Sequence, residues 1–218
     1  MQGQDNIISF GGTSARRISV VLDPRARRIV EECRNLLART LPQLMVGLFE
    51  QIDDSLYELA DKSENNTLQT TYFDAMRELR KERLRIDRAF NHQVLEAYDN
   101  FWQTGRVDTA TRSLDELSRD TEMALLDNEE LEDSLAITNM ISKSENRYSR
   151  ELYALGQRFA FIVSGGRLNE TPGTKSPLEP TVICNGFQAA MKDISVELPV
   201  KLVVYKLFEK HVMHYLGG

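Results

Sequence analysis

Two long apolar stripes at helical spacing, joined by the polar stretch "DKSENNT" (Asp61–Thr67), restrict this chain to helices that pack along their length. In the first stripe Ile29, Cys33, Leu36, Leu37 and Leu41 recur every three or four residues. Leu44, Met45, Leu48, Phe49, Ile52, Leu56 and Leu59 carry it on to about Ala60. The second runs from about Leu68 to Gln103 through Tyr72, Phe73, Met76, Leu79, Ile86, Phe90, Leu95, Tyr98, Phe101 and Trp102. Spacings of three and four place residues on one face of an α-helix, and neither stripe alternates as a strand would. Asp23-Pro24 is a helix start: Asp caps free amides, and Pro at the first helical position loses no hydrogen bond. Pro42 is expected to kink the first helix or begin a new one. Gly105 is the expected stop of the second.

Beyond Gly105 the pattern stays helical. A short helix is predicted around Thr111–Arg119. Asp127 with Glu130 three residues on forms a capping-box-like start. From Leu131 through Leu135, Met140, Ile141, Tyr148, Leu152, Leu155 and Phe159 to Ile162 one long stripe is predicted, stopped by Gly165-Gly166. "GGRLNETPGTKSPLEP" is Gly/Pro-rich and reads as a mobile loop. Two shorter helices begin near Pro180 and Pro199. The last is apolar on more than half its circumference and is expected to be central or covered. "RISVVL" (Arg17–Leu22) suits a short extended segment with no partner strand. The predicted architecture is all-α: a bundle of long antiparallel amphipathic helices with two shorter C-terminal helices. Residues 1–22 read as a flexible arm and 23–218 as one helical domain, with the loop at about 165–179.

Composition narrows the classes. The 218 residues are 41% hydrophobic and 28% charged, enough for a real core. The net charge of −6 removes the global basic field of a nucleic-acid binder. Cys33 and Cys184 make no disulfide framework and read as small core residues in a reducing compartment. No stretch has the roughly 18 unbroken apolar residues of a membrane span, and the N-terminus does not read as a secretory signal. A cytoplasmic location is the expectation.

Site chemistry is sparse. His211 and His214 share a helix face without a third ligand nearby, and His92 stands alone, so no metal is expected. "GTKS" (Gly173–Ser176) lacks the Gly-Lys step, preceding strand and following helix of a phosphate loop. No nucleophile elbow occurs, and the carboxylates are dispersed. No catalytic residue and no cofactor are assigned. Charge is uneven: Arg77–Arg88 holds six basic residues against three acids, and Arg106–Asp133 ten acids against three Arg. Arg77, Arg80, Lys81 and Arg85 fall near one helix face, read as opposing the aromatic one. The candidate partner contacts are Asn65, Asn66, Arg77, Arg80 and Lys81, with Glu129, Glu130, Glu132 and Asp133 on the acidic segment. Plain solvation or internal pairing of these charges is the simpler account, and a turn-and-cap role for the two Asn residues is theirs.

Three blocks carry a resemblance: "LYELADKSENNTLQTTYFDAMRELRKER" (Leu56–Arg83), "LLDNEELEDSLAITNMISKSENRYSRELYALGQRF" (Leu125–Phe159) and "LPVKLVVYKLFEKHVM" (Leu198–Met213). In this order they resemble the N-terminal region of the proteobacterial "domain of unknown function 1631" family. The likeness covers about Asp23 to Leu216. Family members are usually several times longer, which implies an N-terminal fragment or a short version. The resemblance transfers no catalytic residue. Members are often labelled thymidine phosphorylase, and these residues give that label no support. The expected function is a non-enzymatic helical regulatory or interaction domain that associates with itself or a protein partner. One alternative is a regulator binding an anionic nucleotide or RNA through its Arg-rich helices. Another is an enzyme built from dispersed carboxylates and histidines.

Overall fold

The computed structural model describes residues 20, 22–105, 107, 128–165 and 176–215. Within them lie six α-helices: α1 (Pro24–Asp61), α2 (Asn66–Thr104), α3 (Asn128–Arg147), α4 (Ser149–Val163), α5 (Pro180–Met191) and α6 (Leu198–His211). A 3-10 turn, Met213–Tyr215, follows α6. The chain is all-α over these residues, as its periodicity predicts. The short helix around Thr111–Arg119, the cap at Asp127, the arm before Val20 and loop residues 166–175 lie outside them. No helix among the described residues is long and apolar enough to cross a membrane.

Local chemistry sets the ends of the first two helices. The Asp23 carboxylate accepts from the amides of Arg25 and Ala26, both at 2.8 Å, ahead of Pro24. Asn65 caps α2 by accepting from the Thr67 amide at 2.8 Å. Gly105 ends α2 in the left-handed region, φ 69°, and donates to the Phe101 carbonyl at 2.7 Å. Pro42 does not start a new helix; α1 is continuous through it. The proline leaves the Ala38 carbonyl without its helical donor, and buried Leu41, Met45 and Leu48 around it hold the helix to the core.

Contacts far apart in sequence give the directions. Asp53 meets Arg80 and Arg34 meets Asp99, so α1 and α2 form an antiparallel hairpin in one constant register. On α5 Phe187 meets Phe90, and just past its end Asp193 reaches Arg85, making α5 antiparallel to α2. Asp133 bonds Gln188 and Glu145 bonds Thr181, making α5 antiparallel to α3 as well. Asp133–Tyr205 and Lys143–Glu209 advance together, so α3 and α6 run parallel.

The stripe predicted as one helix from Leu131 to Ile162 is two. Tyr148 (φ −106°, ψ 20°) interrupts it, although hydrogen bonds from the Tyr148 amide to Ser144 and from the Leu152 amide to Tyr148 bridge the joint. The Tyr148 hydroxyl donates to the His214 carbonyl at 2.8 Å, tying the joint to the end of the C-terminal helices. Sequence periodicity does not register such a joint, because the apolar spacing continues across it.

Two apolar clusters hold the helices. The larger joins α1, α2, α3, α5 and α6 around Phe90, Phe187 and Phe208. Phe187 and Phe208 stack at 3.9 Å, and Phe90 stands edge-on to both. The final helix is central, as its apolar girth predicts: Val200, Val204, Tyr205 and Phe208 are buried. The second cluster sits where α1 begins and α2 ends. There Val30, Tyr98, Phe101, Trp102 and Phe159 of α4 meet, with Leu22 and half-buried Cys33 packed against them. Buried Tyr98 donates to the Val30 carbonyl at 3.0 Å, and burial pushes its phenol well up from the ordinary value. Cys184 is buried against Met213 Sδ at 3.8 Å, and the same desolvation raises its thiol pKa.

Candidate interaction surface

The turn from Lys62 to Asn65 fixes the free end of the α1–α2 hairpin. The Ser63 hydroxyl donates to the Leu59 carbonyl at 2.6 Å, and Gln69 Nε2 donates to the Ala60 carbonyl at 3.3 Å. Asn65 is spent on its cap, so the simplest account of that residue is local. Asn66 opens the helix and lines a groove on the adjoining face.

Beside this turn lies a feature the sequence reading placed on the wrong side. Phe73 is 41% exposed and Tyr57 of α1 is 57% exposed. Their rings meet edge-on at 6.4 Å. The basic residues do not oppose this pair: Arg77 is one turn from Phe73, and Arg80 lies two turns on. A usable signal was present in the doublets Leu56-Tyr57 and Tyr72-Phe73. Neighbours in a helix point about 100° apart, so where only one neighbouring helix covers the stripe, one member of such a doublet is turned outward; Phe101-Trp102, flanked by α1 and α4, is buried whole.

The basic residues are engaged. Arg80 Nε reaches both carboxylate oxygens of Asp53 at 3.0 Å, linking α2 to α1. Arg77 meets Asp74 at 3.4 Å. Lys81 meets Glu78 at 3.4 Å and Glu82 at 3.6 Å, and the Glu78 hydrogen bond, with both charges, raises the ammonium pKa. Arg85 holds Glu82 at 2.6 Å and lowers its carboxyl pKa. Arg83 instead lies over the Phe49 ring, 5.3 Å from its centroid.

A groove of about 700 Å³ runs between the first turns of α2 and the Ser195–Glu197 connection before α6. Thr67, Thr70 and Thr71 supply hydroxyls, and Asp74, Glu78 and Glu197 face a single guanidinium, Arg77. Three carboxylates to one cation disfavour an anionic ligand there.

The acidic candidates separate. Glu129, Glu130 and Glu132 are exposed on the first turns of α3. Asp133 turns inward: it accepts from the Tyr205 hydroxyl at 2.8 Å and from Gln188 Nε2 at 2.6 Å. It serves the fold by joining α3, α5 and α6.

The histidines do not converge. His92 pairs with Glu96 at 3.4 Å on the surface, and His214 is exposed. Among the described residues no three His, Cys, Asp or Glu side chains gather as metal ligands. His211 Nε2 is buried without a partner. Desolvation first, then Lys210 and His214, lowers the His211 pKa below 6.5. The unfolded chain therefore takes up this proton before the folded chain does. Stability present above about pH 6.5 is lost as pH falls through that value towards the folded pKa. Wild type is expected to lose more of its urea midpoint between pH 7.5 and 5.5 than His211→Asn. Equal losses in the two proteins would show that His211 contributes nothing to the pH dependence.

Residues 25–218 match the family model described as "Protein of unknown function (DUF1631) N-terminal domain". No curated protein and no solved structure matches the chain.

Proposed function

The chain belongs to the DUF1631 N-terminal domain family, and on that premise we propose that it is a non-enzymatic, cytoplasmic helical module that binds a protein partner through the free end and outer side of the α1–α2 hairpin. The observation that carries this reading is the exposed Tyr57–Phe73 pair beside Arg77 and Arg80. Aromatic residues and Arg are enriched in the centres of protein interfaces, and exposed apolar groups on rigid elements lose little conformational entropy when covered. The regulatory role expected from the sequence would act through such binding.

The nucleotide or RNA reading is weaker on these observations. Arg77, Arg80, Lys81 and Arg85 already face carboxylates, and the charged groups lining the groove beside them are three carboxylates and Arg77 alone. Phosphate binding would also collapse with rising salt, whereas an aromatic contact would persist.

A photo-crosslinking residue placed at Phe73, with a control at exposed Arg158 on α4, tests the proposal in cells. A protein adduct is expected at Phe73 and not at Arg158, and Arg80→Glu with Lys81→Glu is expected to weaken it. Identical patterns at the two positions would reduce the hairpin end to solvated surface.

A further inference from the structure

The outer side of α2 is not uniformly basic. Leu84 is 65% exposed there. Lys81 and Arg88 are one turn away on the same side, and Arg77 lies two turns before Leu84. Arg77 and Lys81 are held only by exposed pairs with near neighbours on α2, and Arg88 has no ion-pair partner among the described residues. Surface pairs of that kind are readily exchanged for others.

A second helix offers the opposite chemistry. Leu131 and Leu135 of α3 are 42% and 45% exposed and stand one turn apart. Glu129, Glu130 and Glu132 surround them, none in an ion pair among the described residues. Each helix thus exposes leucine that its own core does not cover, one edged by cations and the other by carboxylates.

Helix α5 sets the relative height of the two. It meets α2 at Phe90–Phe187 and, just past its end, at Arg85–Asp193 (3.6 Å), and α3 at Gln188–Asp133 (2.6 Å). Both contacts are antiparallel, so α2 and α3 run in the same direction. Along α5, the Leu84–Arg88 stretch lies level with the first turns of α3.

Resting on the interaction reading above, we infer that these faces are the two halves of an isologous interface between two copies of this chain, the Leu84 face of α2 in each seating on the Leu131–Leu135 face of α3 in the other. A two-fold axis along the helix direction preserves both polarity and height. Leu84 then comes beside the Leu131–Leu135 face, and Lys81 and Arg88 beside Glu129, Glu130 and Glu132. The contact occurs twice and closes, as a symmetric dimer requires. Charge complementarity selects a second copy: like faces repel, and only α2 against α3 pairs opposite signs.

Light scattering of the full chain over a dilution series tests this. Wild type is expected at twice the 24.9 kDa chain mass, falling to one copy on dilution. Lys81→Glu with Arg88→Glu places acid against acid, and Glu129→Lys with Glu132→Lys places base against base. Each double variant alone is expected to be monomeric, with helical circular dichroism unchanged. Mixing the two variants restores both contacts at once and is expected to restore the dimer. A wild-type monomer at every concentration, a dimer that survives either double variant, or no recovery on mixing would overturn the inference. So would a photo-adduct at Leu84 to some other protein, which leaves the interaction reading standing. Absence of any adduct at both Phe73 and Leu84 would remove both.

Discussion

Phe208→Ala is expected to lower the unfolding free energy by about 3–5 kcal/mol, measured by urea titration. Phe208 is fully buried, stacked on Phe187 and edge-on to Phe90, where α6, α5 and α2 meet. Truncation removes apolar area from the core and opens a cavity among large rings that cannot close together without moving whole helices. Domains are stable by only about 5–15 kcal/mol, so this one change takes a large share. Leu36→Ala on α1 is the reference, because its exposed side chain should alter stability by no more than about 0.5 kcal/mol. A small effect of Phe208→Ala would mean that α6 is peripheral rather than central.

Asp133→Ala is expected to cost about 2–3 kcal/mol, while Glu132→Ala one residue away is expected to stay within about 0.5 kcal/mol. The difference is one of direction. Asp133 accepts from buried Tyr205 and from Gln188, so its removal strands two donors inside the bundle. Glu132 is exposed at the surface. Asp133→Asn retains an acceptor oxygen and should fall between the two. Equal effects of Asp133→Ala and Glu132→Ala would show that the network adds nothing to the fold.

These residues also mark how far the sequence could be read. "NEELED" presents four carboxylates in a row of six, and nothing in the row distinguishes Asp133 from the other three. The distinction appears when Tyr205, 72 residues away, brings a hydroxyl to it. Arg80 is a similar case, since its partner Asp53 lies across the hairpin rather than along its own helix. Phe73 shows the opposite error: an apolar residue on a strongly periodic helix reads as inward, but of the Tyr72-Phe73 doublet only Tyr72 packs against the core.

The sequence by itself determined the helical class, the capped starts at Asp23 and Asn65, the stop at Gly105 and the family. Each depends on interactions within about one turn of chain, or on ordered similarity, and these are written in consecutive residues. Only the tertiary structure decided which apolar residues remain outside, which charges are spent internally, that α3 breaks from α4 at Tyr148, and that α3 and α6 run parallel. Those outcomes depend on which helix faces meet. That is a competition among side chains dozens of residues apart, settled by packing the whole bundle.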